Sequence, residues 1–389
     1  MKSNFEIGII GGGPAGSAAA AYLAGYGFDV CLFEKKSFPR ETLCGEFLST
    51  EVIHFLKELN LFDEFISLNP NRIKSFRFFN HSGKSINHKF NFDVYGLSRS
   101  SFDNLLLQNT KRKGVAVFQP AEVKEIILNG KSYQLVVKNE EQKEINISVN
   151  YLVAAYGKQN ALDNFLKRNF ISQKSKLNGI KFHLNKNELK EFAEDEIQIY
   201  SAENIYCGVN AVDSDNVTFC FLEDRKQEQP PPRKQLIYLQ KKNKAFKKLF
   251  TGNDGNLFDT FTVYGTGNIF FGRRNLVENG IFMIGDAAGV IAPLAGDGIG
   301  IAIESGKLIA DLFYKKRYEN LSTKELEFLF IYEWDKLFLS RMKTAKTIQT
   351  IILKSFRRNI GFLLVKFFPA LLPYLVRTTR NTFQNKKLS

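Results

Sequence analysis

The stretch that most limits what this chain can fold into is GGGPAG, residues 11–16. It follows a short apolar run, FEIGII, and opens an alanine-rich segment, PAGSAAAAYLAGYG. A short apolar run ending in glycines reads as a buried parallel strand. The alanine-rich segment reads as a helix, with Pro14 tolerated in its first turn and Gly27 ending it. FDVCLFEK supplies the next strand, which completes a βαβ unit within about 30 residues.

The three spaced glycines then have separate jobs. Gly11 permits the tight turn, Gly13 lets a pyrophosphate approach the backbone, and Gly16 lets the helix pack closely on the strand. The helix start, with Pro14 in its first turn and N–H groups unpaired from Ala15 on, offers those groups and the positive end of the helix dipole to phosphates. Glu34, with Lys35 beside it, ends the second strand about 20 residues on, where a carboxylate can accept ribose hydroxyls. Together these features predict a dinucleotide site.

A second glycine-rich stretch, FMIGDAAGVIAPLAGDGIGIAIESG, begins at Phe282. Gly285 and Asp286 follow a buried strand. Pro293, Gly296 and Gly298 precede a helix from about Ile299. Such a helix start directs partial positive charge toward an electron-rich ring, and an Asp can bind a sugar-alcohol chain. A simple NAD dehydrogenase needs neither, so the pattern favours FAD. No second GxGxxG appears. No separate Rossmann domain for NAD(P)H is therefore expected.

A chain of 389 residues is too long for one small core. The expected class is α/β: a Rossmann-like FAD-binding domain with an inserted β-rich substrate domain and a helical C-terminal segment. The cofactor domain is assigned to residues 1–70, 94–164 and 265–315. The substrate domain takes residues 71–93 and 165–264, and the basic helical segment takes 316–389. Residues 73–79 and 85–92 alternate like strands. Residues 115–118, 123–128, 133–138 and 145–149 read as a meander, and 151–157 as a further buried strand. The 165–264 region lacks the βα rhythm and contains IYCGVNAV, VTFCFLED and a charged, proline-rich stretch, EDRKQEQPPPRKQ.

The four cysteines form no CxxC pair and the four histidines show no ligand spacing, so no disulfide or metal site is expected. Glycines and Pro14 break the apolar N-terminus, which argues against a signal peptide. A cytoplasmic location with reduced thiols is the expectation. The net charge of +14 is uneven: residues 336–389 carry 12 Lys/Arg and no Asp/Glu, against 42 basic and 40 acidic before them. That distribution does not point to nucleic acid. Two readings of the tail stay open. Its helices cover the cofactor domain with a solvated basic face, or they rest peripherally on the anionic inner face of a membrane and admit a lipid-soluble substrate.

Over residues 5–315 the sequence resembles the flavoproteins that include para-hydroxybenzoate hydroxylase and, more closely, the geranylgeranyl reductases. The resemblance rests on GGGPAG, on LSRSSFD (the family's R..FD element), on PAEVKEI, on GDAAGVIAPLAGDG, and on FPRETLCGEFLS, which is similar to the reductases' PR.K.CG loop. It implies that Gly11, Gly13, Gly16 and Glu34 hold the ADP part of FAD. Arg99 would approach the flavin chain or pyrophosphate, and the Val123 backbone the adenine. NAD(P)H would visit transiently as electron donor, or another donor would be used. Asp286 would bind the ribityl chain, with Gly298 and Ile299 at the flavin edge. Arg40, Cys44 and Gly45 would lie beside the cofactor.

Two departures stand out. Tyr156 in AAYG occupies the place of the family's Asp. IYCGVNAV lacks the reductases' Y.W.FP substrate motif, so their lipid substrate is not carried over. Flavin-dependent halogenases are disfavoured, because their Trp-rich motif has no counterpart and the single Trp is Trp334. Cys44 and Glu46 are the candidate catalytic residues. Their bland readings are a packed thiol and a loop carboxylate. His183, Tyr200 and Tyr206 are candidates for lining the substrate cavity. The expected activity is FAD-dependent monooxygenation of an apolar aromatic or polyketide-like small molecule with NAD(P)H and oxygen. Saturation of a carbon–carbon double bond in an isoprenoid or other lipid is the alternative. A catalytically inactive flavin-binding accessory protein is the third reading, kept open by Tyr156.

Overall fold

The computed structural model describes residues 2–225, 231–250 and 261–380. Part of the proline-rich stretch and the last nine residues lie outside the described residues.

The first sheet runs in the order Val277–Glu278, Ile281–Met283, Glu144–Ala154, Asn4–Ile10, Val30–Phe33, Ala116–Phe118. From Ile281–Met283 onward all neighbours are parallel. The two central strands read as nearly unbroken apolar runs because both their faces are buried. The helix Pro14–Gly25 follows the first strand, as GGGPAG predicts, and packs against the later helix Gly298–Glu319. That contact is backbone-close: a Cβ on Gly306 would stand 2.5 Å from the Ala15 carbonyl oxygen. The two glycine-rich stretches, far apart in sequence, therefore meet in space.

The strands Ala121–Asn129 and Ser132–Asn139 form the meander with Glu144–Ala154. Sequence periodicity separates 145–149 from 151–157, but the structure has one strand of 11 residues there. Residues 144–149 pair antiparallel with the meander, and residues 148–154 pair parallel with Asn4–Ile10. Exposed Asn150 interrupts the apolar pattern without interrupting the ladder.

The second sheet runs Tyr264–Thr266, Leu177–Asn185, Asn216–Asp224, Ile205–Ala211, Glu196–Ala202, Asn71–Phe79, Ser85–Gly96, Phe47–Leu48. Its one parallel pairing, Glu196–Ala202 with Asn71–Phe79, joins two distant segments of the chain. The sheet also takes in Phe47–Leu48 and the end of Ser85–Gly96, which sequence grouping puts with the cofactor segments. No turn residue stops the second of these until Gly96, so the strand simply continues. One face of the sheet packs on the helices Pro232–Lys242 and Lys244–Lys248 through Phe182, Phe219 and Phe246. The first of those helices starts inside the proline-rich stretch, where proline suits a first turn.

The helix Thr323–Leu353 is 31 residues long and starts with a capping box between Ser322 and Glu325. It buries Leu326, Phe330, Trp334 and Phe338 against the first sheet's core. The helices Ser355–Phe367 and Leu371–Thr378 follow, bent by 117° relative to each other.

Candidate cofactor and substrate site

The glycine turn sits as the sequence predicts, at the C-terminal end of the strand Asn4–Ile10. Gly11 has φ +107°, and a Cβ there would stand 2.5 Å from the Ala155 carbonyl oxygen. Only glycine suits both conditions. Gly13 is different. It precedes the helix with an extended backbone, and a Cβ on it would find only the Arg40 guanidinium, 3.7 Å away. The start of the helix Pro14–Gly25 carries no side-chain cap, so its first N–H groups are free to meet an anion. Glu34 is buried at the end of the next strand. Its carboxylate accepts the Gly12 and Lys36 N–H groups, both at 2.9 Å, and fixes the turn.

Gly11, Gly13, Pro14, Ala15, Glu34, Lys35 and Val123 line one end of a chamber of about 1310 Å3. Asp286, Pro293, Gly296, Gly298 and Ile299 line its middle, with Arg40, Cys44, Gly45 and Arg99 alongside. Two predicted cofactor residues, Gly16 and Gly285, are absent from the lining. Gly16 packs the helix closely, the role its spacing predicts, and Gly285 sits equally tight: a Cβ on Gly16 would collide with the Gly11 carbonyl oxygen at 1.9 Å, and one on Gly285 with the Ala15 methyl at 2.8 Å.

Two arginines face the chamber through one buried acid. Arg99 grips Asp103 with two bonds, of 2.6 and 2.8 Å, and Arg40 lies 3.5 Å from the same carboxylate. Asp103 escaped the sequence reading, although an acid four residues after an Arg on one helix is a recognisable pairing. Lys158, also unpredicted, stands 3.8 Å from Asp286 at the middle of the chamber. The Tyr156 hydroxyl donates to Asp163 at 2.9 Å, and Asp163 holds the fully buried Arg168 at 3.1 Å. A carboxylate thus stands one step behind the position where the family places its own.

Cys44 lines the chamber, and its sulfur accepts the Glu46 N–H at 3.3 Å. Glu46 itself is fully buried, with φ +56°. Its carboxylate accepts the Arg99 N–H at 2.8 Å, the Lys181 ammonium at 2.5 Å, and meets His183 Nε2 at 2.6 Å. Burial pushes this carboxyl up, but the His183 bond and the Lys181 charge outweigh it and hold it below its ordinary value. Lys181 also reaches Glu41 at 2.7 Å. Glu41, Glu46 and His183 could by their spacing surround a cation, and the Lys181 ammonium bonds both carboxylates of the group. Lys181 was missed because its partner lies 135 residues away. His183 pairs with Glu46 and is not part of the chamber lining. Tyr200 is buried on the opposite face of the second sheet, stacked on Phe79. Tyr206 does line the chamber, and its hydroxyl donates to Gln349 at 3.1 Å.

The far end of the chamber is apolar. The second sheet presents Phe76, Phe78, Phe90, Ile197 and Ile199, and the tail helices contribute Phe362 and Leu375. Asn210 and Cys220 from the sheet, and Arg358 and Thr379 from the tail, are among the polar interruptions. The volume exceeds the roughly 300–1,000 Å3 typical of a single small-molecule pocket, so a cofactor and a substrate have room together. The open Gly13 backbone, the uncapped helix start, the acid at the strand end and the paired arginines fit FAD, whose pyrophosphate and ribose these groups would hold.

Comparison with known proteins agrees on the cofactor and redirects the branch. The family described as "FAD binding domain" matches residues 4–312. Flavin-dependent halogenase armH1 of Armillaria mellea is 31% identical over 179 residues, covering 43% of this chain and 34% of its own. The chain thus spans about a third of the length of the curated relatives it matches first. Among solved structures, flavin-dependent brominase Bmp2 superposes with a TM-score of 0.77 at 18% identity, covering 97% of this chain and 93% of that one. PqsL of Pseudomonas aeruginosa, a probable FAD-dependent monooxygenase, superposes at 0.73 with 12% identity, covering 92% and 99%. These likenesses show the same fold. They do not support the expected closeness to geranylgeranyl reductases. They also correct the reading against halogenases, because a missing Trp motif did not keep halogenases from being relatives. With four-fifths of its length matched, this chain belongs to the FAD binding domain family.

Proposed function

We propose that this chain is an FAD-dependent oxygenase that hydroxylates an apolar, electron-rich aromatic molecule. The observation that carries the reading is the continuity of the phosphate cradle with an apolar chamber walled by Phe76, Phe78 and Phe90. Reduced FAD would supply the activation of oxygen. One oxygen atom enters a C–H bond of the substrate, the other leaves as water, and a reduced donor such as NAD(P)H provides the two electrons. The chain's own residues bind, orient and exclude water. Arg99 and Arg40, held by Asp103, would neutralise the pyrophosphate. The helix start at Gly298 would place positive potential at the flavin edge. Glu46, with its carboxylate engaged by three donors, is proposed as a positioning residue that fixes Arg99 and the Cys44 loop, and not as a proton donor.

Halogenation is the second reading, favoured by the halogenase relatives. It draws on the same reduced cofactor and oxygen. One experiment separates the readings. Purified protein is checked for a flavin spectrum, reduced with NAD(P)H or by light without oxygen, then given air, a panel of phenols and indoles, and bromide. Products are read by mass spectrometry. Gain of one oxygen atom supports hydroxylation, and a bromine isotope doublet supports halogenation. Substrate-dependent flavin reoxidation without oxygen, with saturation of an alkene, overturns both. Flavin that NAD(P)H leaves oxidised but light reduces assigns the donor role to another reductant.

A further inference from the structure

The helices Ser355–Phe367 and Leu371–Thr378 have two apolar faces. The inner face, with Phe362, Val365 and Leu375, walls the chamber. The outer face carries Phe356, Ile360, Leu363 and Phe367, spaced four, three and four residues apart, hence on one side of the helix. Phe356 is 78% exposed and Phe367 72%, and Phe368 and Tyr374 extend the patch past the bend. An exposed stripe of this kind, on a helix that also walls an apolar chamber, marks an interaction surface.

Charge says what covers it. Between Lys354 and Arg380 the chain has six basic residues and no acidic one. Lys354 pairs with Asp224, buried Arg358 bonds the Ala202 carbonyl, and Arg380 faces Glu51 and Asp297. Arg357, Lys366 and Arg377 are exposed and have no acidic partner among the described residues. Apolar side chains flanked by free cations suit the headgroup region of an anionic bilayer. Among the described residues no single helix is long and apolar enough to cross a membrane. The pair passes that test only together, yet it bends by 117° and keeps its inner face on protein. That geometry suits lying on a surface, not spanning it.

We propose that this bent pair is a membrane-surface dock, which seats the tail wall of the chamber on anionic lipid so that an apolar substrate passes from bilayer to site. The proposal does not depend on the reaction assigned above, because its test reads binding alone. The full-length protein is sedimented with vesicles of phosphatidylcholine and with vesicles of phosphatidylcholine and phosphatidylglycerol in equal parts. It should co-sediment with the anionic vesicles and stay largely free of the neutral ones, with binding falling as salt rises. Neutralising R357Q, K366Q and R377Q together should lower the partition coefficient on the order of 100-fold at low salt. F356S with F367S should lower it roughly tenfold or more. All five positions are exposed, and circular dichroism of each variant confirms folding. Absence of binding by the parent protein to anionic vesicles overturns the proposal. So does equal binding by the charge-neutralised variant. A lipid-independent dimer that F356S with F367S dissolves also overturns it, and assigns the stripe to a second copy of the chain.

Discussion

At the scale of single residues, the glycine turn contains its own control. Gly13 and Gly16 sit three residues apart in one motif, yet they answer to different partners. A methyl on Gly16 meets backbone at 1.9 Å, so Gly16→Ala forces the helix off the strand. It should cost about 1–3 kcal/mol or more of stability, read by urea unfolding. A methyl on Gly13 finds open space and a φ of −72° that any residue adopts. Gly13→Ala should therefore fold normally and yet lose flavin, by about tenfold or more in affinity, because the pyrophosphate needs that space. Equal flavin content in parent and Gly13→Ala protein would refute the placement of the phosphates. The glycines were legible in sequence because turn geometry is local. Asp103, Lys181 and Asp163 were not, because a buried charge shows its role only once its partner is brought beside it. Glu46 shows the same limit. Its neighbours in sequence suggested a pocket carboxylate, and its partners from Lys181 and His183 reveal a locked one.

At the scale of elements, the helix Gly298–Glu319 is tied to the helix Thr323–Leu353 by a buried cluster of charge. Arg341 bonds Asp297, and it reaches Glu304 at 2.7 Å. Asp297 precedes the helix but does not cap it with its side chain; it also accepts from Ser49 at 3.1 Å. Burial is the largest influence on both acids, and despite Arg341 it pushes Asp297 up to about 6 and Glu304 to about 7. The unfolded chain releases these protons near 3.8 and 4.5. Between those values and the folded ones the native state binds more protons, so unfolding free energy falls as pH rises through the window. For Glu304 the fall is on the order of 3 kcal/mol. Urea unfolding at pH 5 and pH 8 should show the parent losing more stability than Glu304→Gln. Parallel losses in the two proteins would remove Glu304 from the account. Helical pattern made both helices readable in advance. The clasp between them was not readable, because Arg341 sits in a run whose basic residues look alike until one of them is buried.

At the scale of the whole molecule, sequence pattern announced a parallel sheet and a strand-rich insertion but could not say that the two would enclose one space. The chamber draws its walls from the glycine turns, from one face of the second sheet and from the tail. Pairing such as Glu196–Ala202 on Asn71–Phe79 is long-range and leaves no local mark. The relation of the tail to the chamber is equally hidden, since an amphipathic pattern reports one apolar face and these helices have two. If the apolar end holds the substrate, filling it should separate cofactor binding from turnover. Gly208, on the strand Ile205–Ala211, lines the chamber, and a Cβ there would meet nothing closer than the Cys220 carbonyl oxygen at 3.9 Å. Gly208→Phe places a ring in that space without moving backbone, and a strand tolerates phenylalanine better than glycine. Flavin content should stay at the parent level. For a substrate found by the product assay, kcat/KM should fall about tenfold or more, with the loss in KM if the ring merely competes for room. An unchanged kcat/KM in protein that still carries its flavin would mean that the substrate sits elsewhere, and the apolar wall would need another occupant.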